Sequence, residues 1–384
     1  MPKLLYGNPV NETQSLDEKN QRNDFLRLSL VPGVGPKTYE QLLERFQTPA
    51  NVMNAAPSDL RTVQGVGPKL ARQISLALDE IDIEPHLEVC RKNNIRIVDR
   101  QDAAYPRLLK QIHNPPNILY MHGDMVAQDE LAIAIVGSRH ATAYGKRTAK
   151  KLARGLALAG FTIISGLARG IDAAAHRGAL EAGGRTLAVL GSGVLNIYPS
   201  EHTELAFDVR KNGAVISEQP PASPPKSGSF PQRNRIVTGM CLGTVIVEAA
   251  ERSGALISAR LAMEQDREVF AVPGQIDSRM SRGCHKLIRD GAKLVESVDD
   301  VLEELGPLAI PAVSTEGKTV RHPAELQLKE QESLVLHAIA VEPTELEAII
   351  DATDLPAHRV LSTISVLELR RLIRRISGTS VVRI

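Results

Sequence analysis

Three patterns of apolar and polar positions follow one another along the chain. The first 22 residues are polar and rich in Asn, Gln and Glu, and read as a disordered tail. Two amphipathic copies of one unit come next, LRLSLVPGVGPKTYEQLLERF at 26–46 and DLRTVQGVGPKLARQISLAL at 59–78, with GVGPK recurring at 33–37 and 65–69. Each copy predicts a short apolar helix, a glycine turn and a second amphipathic helix. Pro36 and Pro68 fall in the first helical turn, where a missing N–H costs nothing.

From about 126 to 305 the pattern changes to short apolar runs alternating with helical segments. The runs are LAIAIVGS (131–138), FTIISGLA (161–168), TLAVLGSG (186–193), GAVISEQ (213–219), GTVIVEA (243–249) and EVFAVPG (268–274). Apolar strands separated by helices predict a parallel sheet covered on both faces, a doubly wound α/β domain with ligand loops at the strands' C-terminal ends. IRIV (95–98) and ILYMHG (118–123) add edge strands leading into it. After a linker over 306–327, residues 328–384 read as three helices and a hairpin, a winged helix-turn-helix. The expected domains are therefore a helix-hairpin-helix (SAM-like) unit at 23–82, the α/β core at 83–305 and the winged helix at 328–384.

Composition narrows the chemistry. The chain has 384 residues, 43% hydrophobic and 24% charged, with a net charge of +1; a globally basic surface is excluded, local basic patches are not. Cys90, Cys241 and Cys284 are far apart and never in CxxC spacing, so neither a disulfide framework nor a zinc site is expected. No apolar run approaches a membrane span, and a cytoplasmic protein is expected. Tryptophan is absent and aromatics reach only 3%, so any stacking surface has few rings to use.

Three glycine- and serine-rich turns cap consecutive core strands: VGSRHATAYG (136–145), SGLARGID (165–172) and GSGVLNIYP (191–199). In the first, Gly137 and Ser138 open an anion cradle of backbone donors, with Arg139 placed to pair a phosphate; Ser165 and Gly166 repeat the design. The same glycines also suit tight strand-to-helix packing. A dinucleotide is disfavoured, because Asn196 stands where a third glycine belongs, and a P-loop fails at Ala312; no cofactor is expected. In SFPQRNRIVTGMC (229–241), Phe230 lies close to Arg233, Asn234 and Arg235: a ring for a base and guanidinium groups for a backbone, or one arginine folding inward to brace the adjacent turn. The other reading makes Phe230 a core anchor and pairs the arginines with Glu218 or Glu248.

The ordered set GSR, YG, SGLARGID, GG, LGSG, YP, FPQRNR, GAL, VPG and LIRDGA resembles the DNA-processing DprA/Smf family densely over about 120–300. The resemblance implies an extended Rossmann fold that binds single-stranded DNA, self-associates, and loads the RecA recombinase onto DNA covered by single-strand-binding protein, in recombination and natural transformation. It implies Gly137, Ser138 and Arg139 as phosphate binders, Phe230 as the stacking ring, Arg233, Asn234 and Arg235 lining the groove, and Lys226 as a backbone contact. Two positions depart from the family pattern: His202 and His285 stand where Asn is usual. The competing expectation is a nucleoside-monophosphate phosphoribohydrolase on the same core. GMCLGTVIVE (239–248) lacks that group's PGG turn and places Glu248 one residue too far, which weighs against an enzyme. A third expectation, a transcription regulator acting through the winged helix, requires sequence-specific duplex binding.

Overall fold

The computed structural model describes residues 16–305, 328–370 and 372–384. The linker over 306–327 and the first 15 residues of the expected tail lie outside the described residues. The rest of that tail is not disordered: a helix already runs from Leu16 to Leu30. Its polar first half has no apolar stripe to announce a helix; the C-terminal half supplies Phe25, Leu26 and Leu28 to the core.

Both repeat units form helical hairpins. Pro36 and Pro68 open the helices Pro36–Phe46 and Pro68–Ser75, and Gly33 and Gly65 take φ values of 96° and 85°, which only glycine adopts without strain. This domain is not a loose appendage. Leu28, Leu42, Val52 and Ile74 share one apolar cluster with Ile118, Tyr120 and Leu205 of the core, and Arg22 pairs with Asp102 at 2.8 Å.

The central sheet contains β1 (Ile95–Asp99), β2 (Ile118–Gly123), β3 (Ala132–Gly137), β4 (Thr162–Ser165), β5 (Thr186–Leu190), β6 (Gly213–Ser217), β7 (Gly243–Val247), β8 (Glu268–Ala271) and β9 (Lys293–Leu294). Their order is β1-β2-β6-β5-β4-β3-β7-β8-β9. From β6 to β9 every pairing is parallel; β1 and β2 join one edge antiparallel, the place expected for the two early runs. The two-residue β9 is too short to leave a sequence signal. Strands β3 to β7 are buried along almost their whole length because helices cover both faces.

The chain steps from β3 through β4, β5 and β6 in one direction, then returns to β7 on the other side of β3. The β3/β7 pair is thus the switch point, and the turns at the C-terminal strand ends beside it are where a doubly wound sheet leaves a crevice. The C-terminal domain packs the helices Glu330–His337, Leu346–Thr353 and Ala357–Leu369 against a three-stranded wing, β10 (Thr344–Glu345), β11 (Ile373–Arg375) and β12 (Ser380–Arg383), around its own apolar cluster. Among the described residues no helix is long and apolar enough to cross a membrane, and no cluster of His, Cys, Asp or Glu could hold a metal ion.

Candidate nucleic-acid interface

The turn after β3 is held from below by Glu248, the residue following β7. Ser138 donates its amide to the Glu248 carbonyl at 2.8 Å, and Thr142 donates both its amide (2.8 Å) and its hydroxyl to the Glu248 carboxylate. The Ser138 hydroxyl is buried and accepts the His140 amide at 3.1 Å. A Cβ on Gly137 would meet the Val247 carbonyl oxygen at 1.8 Å, so that glycine serves the close approach of β3 and β7. Arg139 and His140 are the exposed residues of this tip.

The second turn is closed by a different carboxylate. Asp172, at the start of the Ile171–Glu181 helix, accepts the amides of Gly166 and Ala168 at 3.1 and 3.3 Å. Ser165 is fully buried and donates its hydroxyl to the Ile135 carbonyl at 2.6 Å. In the third turn, Gly193 and Leu195 donate to the carbonyls of Ser223 and Pro221. Part of the expected cradle is therefore corrected: the amides of Ser138, Gly166, Ala168, Gly193 and Leu195 are satisfied within the protein, and the hydroxyls of Ser138 and Ser165 face inward, so these groups are not free for an anion. His202, in place of the usual Asn, donates Nδ1–H to the Leu167 carbonyl at 2.8 Å, and His285 Nε2 lies 3.0 Å from the Gly274 carbonyl; both departures fill structural positions.

The segment SFPQRNRIVTG is a helix, Ser229–Gly239, and at 100° per residue its polar side chains cannot all face one way. Phe230, Arg233 and Asn234 share one side. The half-buried Phe230 ring lies against Gly191, where an added Cβ would come within 2.9 Å of it. The Arg139 guanidinium lies over the same ring, 5.4 Å from its centroid, and the Tyr198 ring stands 5.5 Å away, tilted by 45°. Arg139, Gly166, Ala168, Arg169, Tyr198, Phe230 and Arg233 line one shallow pocket at the strand tips.

Arg233 is buried beneath that pocket. It donates to the Val189 carbonyl and packs its guanidinium against Gly166 beside Asp172. Burial lowers its pKa to about 10 and raises that of Asp172. Arg233 is thus the arginine that folds inward, and it forms the cationic floor of the pocket. Arg235 points to the other side of the helix, where Glu218 takes its guanidinium at 2.6 Å; it does not line the pocket, contrary to expectation. Asn234 is half-buried, and Lys226 is exposed in the loop before the helix. Four lining residues, Ala168, Arg169, Tyr198 and Pro199, are absent from the set expected from the sequence. Arg169 donates to Glu201 through Nε (2.7 Å) and Nη2 (2.6 Å), and its position in a second glycine turn, like that of Arg139 in the first, is the signal the sequence offers.

This architecture defines a Rossmann-like core carrying an aromatic and cationic pocket at its switch-point edge, between a helix-hairpin-helix and a winged helix. Family models match all three parts: the DNA recombination-mediator protein A model at 96–306, the SAM-like helix-hairpin-helix tandem at 25–80 and the DprA winged helix domain at 320–379. The chain is 33% identical to a protein Smf from Synechocystis over 92% of this chain and 96% of that one, and 41% identical to the DNA processing protein DprA of Bacillus subtilis over 57% and 74%. The X-ray structure of DprA from Streptococcus pneumoniae superposes with a TM-score of 0.63 at 34% identity, covering 73% of this chain and 97% of that one. DNA processing protein A from Helicobacter pylori, whose structure was described for its single-stranded DNA binding mode, superposes at 0.50 with 30% identity, over 55% and 95%. The chain belongs to the DprA/Smf family of DNA recombination mediators.

Proposed function

We propose that this protein binds single-stranded DNA without sequence specificity at the Arg139–Phe230–Tyr198 pocket. One observation carries the reading: the Arg139 guanidinium is exposed over the Phe230 ring, forms no ion pair among the described residues, and has a second ring and the buried Arg233 cation next to it. A flat ring beside unneutralised charge suits an unpaired base and its phosphate, since stacking requires a free base face and contributes about 1–3 kcal/mol per base. The single-stranded DNA binding named for the Helicobacter relative supports the same ligand.

Membership of the family supports a wider role, which is part of the same proposal. The protein acts in the cytoplasm as a homodimer, takes over strands covered by single-strand-binding protein, and loads RecA onto them during recombination and natural transformation. It is not an enzyme. Glu248, which ends the run nearest to the phosphoribohydrolase motif but one residue out of its spacing, is buried and holds the first turn through Thr142. Release of adenine from AMP by wild type, abolished in Glu248→Gln, would reverse that view.

Fluorescence anisotropy on oligo-dT tests the pocket. Arg139→Ala is expected to weaken binding about tenfold or more and to flatten the salt dependence, because each lost phosphate contact removes roughly 0.7 from the slope on single strands. Phe230→Ala should weaken binding about fivefold or more with the slope unchanged. If both variants bind as wild type does, the pocket is not the DNA site.

A further inference from the structure

The Ala143–Leu158 helix carries a feature that the pocket does not use. Its sequence, AYGKRTAKKLARGLAL, contains no acidic residue, yet it presents Lys146, Arg147, Lys150, Lys151 and Arg154 to solvent. In a chain whose net charge is +1, five exposed cations on one helix are a strong local concentration. Among the described residues only Lys150 of the five has an ion-pair partner, Glu181 on the neighbouring helix at 2.6 Å.

The placement of this helix connects it to the pocket. It starts four residues after Arg139, at the C-terminal end of β3, and runs back along the outside of the sheet. Its first turn bears Tyr144, which is 44% exposed and tethered at its tip, where the hydroxyl donates to the Pro273 carbonyl at 3.0 Å. Two exposed tyrosines therefore stand in the strand-tip loops, Tyr198 in the pocket and Tyr144 five residues after Arg139, in a protein with few aromatics. The far end of the helix is closed off by charge of the opposite sign. Gly155 packs against Val298, the first residue of an acidic helix that carries Asp299, Asp300, Glu303 and Glu304. Between Lys146 and Arg154 the cationic row covers about 12 Å, with i,i+4 neighbours spaced about 6 Å apart.

We infer that this helix is a second stretch of the DNA path, along which the phosphodiester backbone of the strand leaving the Arg139 pocket passes Tyr144 and continues for two or three phosphates. The inference rests on the single-stranded DNA reading of the pocket and extends it with a direction and a length. The ligand is an unpaired strand, because Tyr144 adds a ring face at the start of the row and duplex bases offer no free face to it.

Anisotropy with the full chain on a short and a long oligothymidylate, two and twenty nucleotides in length, tests this. The short strand fills the pocket alone, whereas the long one reaches the helix. Replacing Lys146, Lys151 and Arg154 together by Gln is expected to leave binding of the short strand within twofold of wild type. On the long strand it should weaken binding ten- to hundredfold and lower the salt slope by about 2, at roughly 0.7 per phosphate. Tyr144→Leu, which removes no charge, should weaken binding of the long strand about fivefold with the slope unchanged. Equal losses on both oligonucleotides, or no loss on the long one, would overturn the inference, as would a loss confined to duplex DNA. Arg139→Ala keeps the two readings apart: if it weakens binding of the short strand while the triple variant binds the long strand normally, the pocket stands and only the extension fails.

Discussion

The turns that follow β3 and β4 are near neighbours in space and alike in sequence, yet they do different things. Each is glycine-rich and carries an arginine, and each is held from inside by one buried carboxylate, Glu248 under the first and Asp172 under the second. In the first turn the carboxylate binds Thr142 and leaves Arg139 free over Phe230. In the second, Asp172 takes two backbone amides and sits beside the buried Arg233, while the turn's own arginine, Arg169, is engaged by Glu201. The difference shows that a glycine-rich strand tip is not in itself an anion site. Where a carboxylate of the same chain already takes the amides, those amides are not free for an anion.

The strongest test removes the two supports. Asp172→Ala leaves the Gly166 and Ala168 amides without acceptors and Arg233 as a buried cation without its counter-charge. Leaving buried donors unmet costs about 1–3 kcal/mol each, and with the attraction to Arg233 also lost, melting of the full chain should fall by roughly 6–15 °C. Glu248→Gln keeps an amide oxygen for Thr142 and should cost about 1–2 kcal/mol, as one weakened charge-assisted bond. Equal losses in the two variants would erase the proposed distinction between the turns.

Much of this was legible in the chain itself. The apolar runs marked β3 to β8, the GVGPK repeat marked both hairpins, and a lone ring among arginines marked Phe230. What could not be read depends on side-chain direction and on distant partners. SFPQRNR places its arginines close together, but the helix sends Arg233 beneath Gly166 and Arg235 to Glu218. The acceptors that take the turn amides are equally hidden: Glu248 lies 106 residues from Thr142. Tyr144 and Tyr198 are exposed, and exposure has no sequence signal when a residue sits at a strand tip.

Acid offers a smaller, graded test of the second turn. His176 is fully buried behind it and donates Nδ1–H to the Thr186 hydroxyl at 2.7 Å, which in turn donates to the Ile163 carbonyl. Burial, helped by the Arg233 charge, lowers its pKa to about 3 from an ordinary 6.5. The sign follows from which state takes up the proton. Between pH 6.5 and about 3 the unfolded chain protonates this imidazole and the folded chain does not, so its contribution is full above 6.5 and is lost as the pH falls. At about 1.4 kcal/mol per pH unit, stability should drop by roughly 2 kcal/mol from pH 7 to pH 5 on account of this group. His86 and His122, also lowered by burial, add to the fall with the same sign. Denaturant melts of wild type and His176→Gln at the two pH values isolate the share of His176. Parallel lines would show that its neutrality is not imposed by the fold.

The smallest effect is the most discriminating for the comparison. If the β4 turn were a phosphate cradle, Ser165→Ala would remove a ligand contact and weaken DNA binding about as much as losing any other charge-assisted hydrogen bond. In the structure that hydroxyl is bonded to the Ile135 carbonyl inside the sheet, with the side chain fully buried. Losing it should therefore cost about 1 kcal/mol of stability and leave oligo-dT affinity and its salt slope at wild-type values. Alanine fits the site, because only one small polar atom is removed and Ile135 already lies in a paired strand. A Ser165→Ala protein that melts normally but binds oligo-dT tenfold more weakly would reassign the hydroxyl to the ligand and make the two turns equivalent after all.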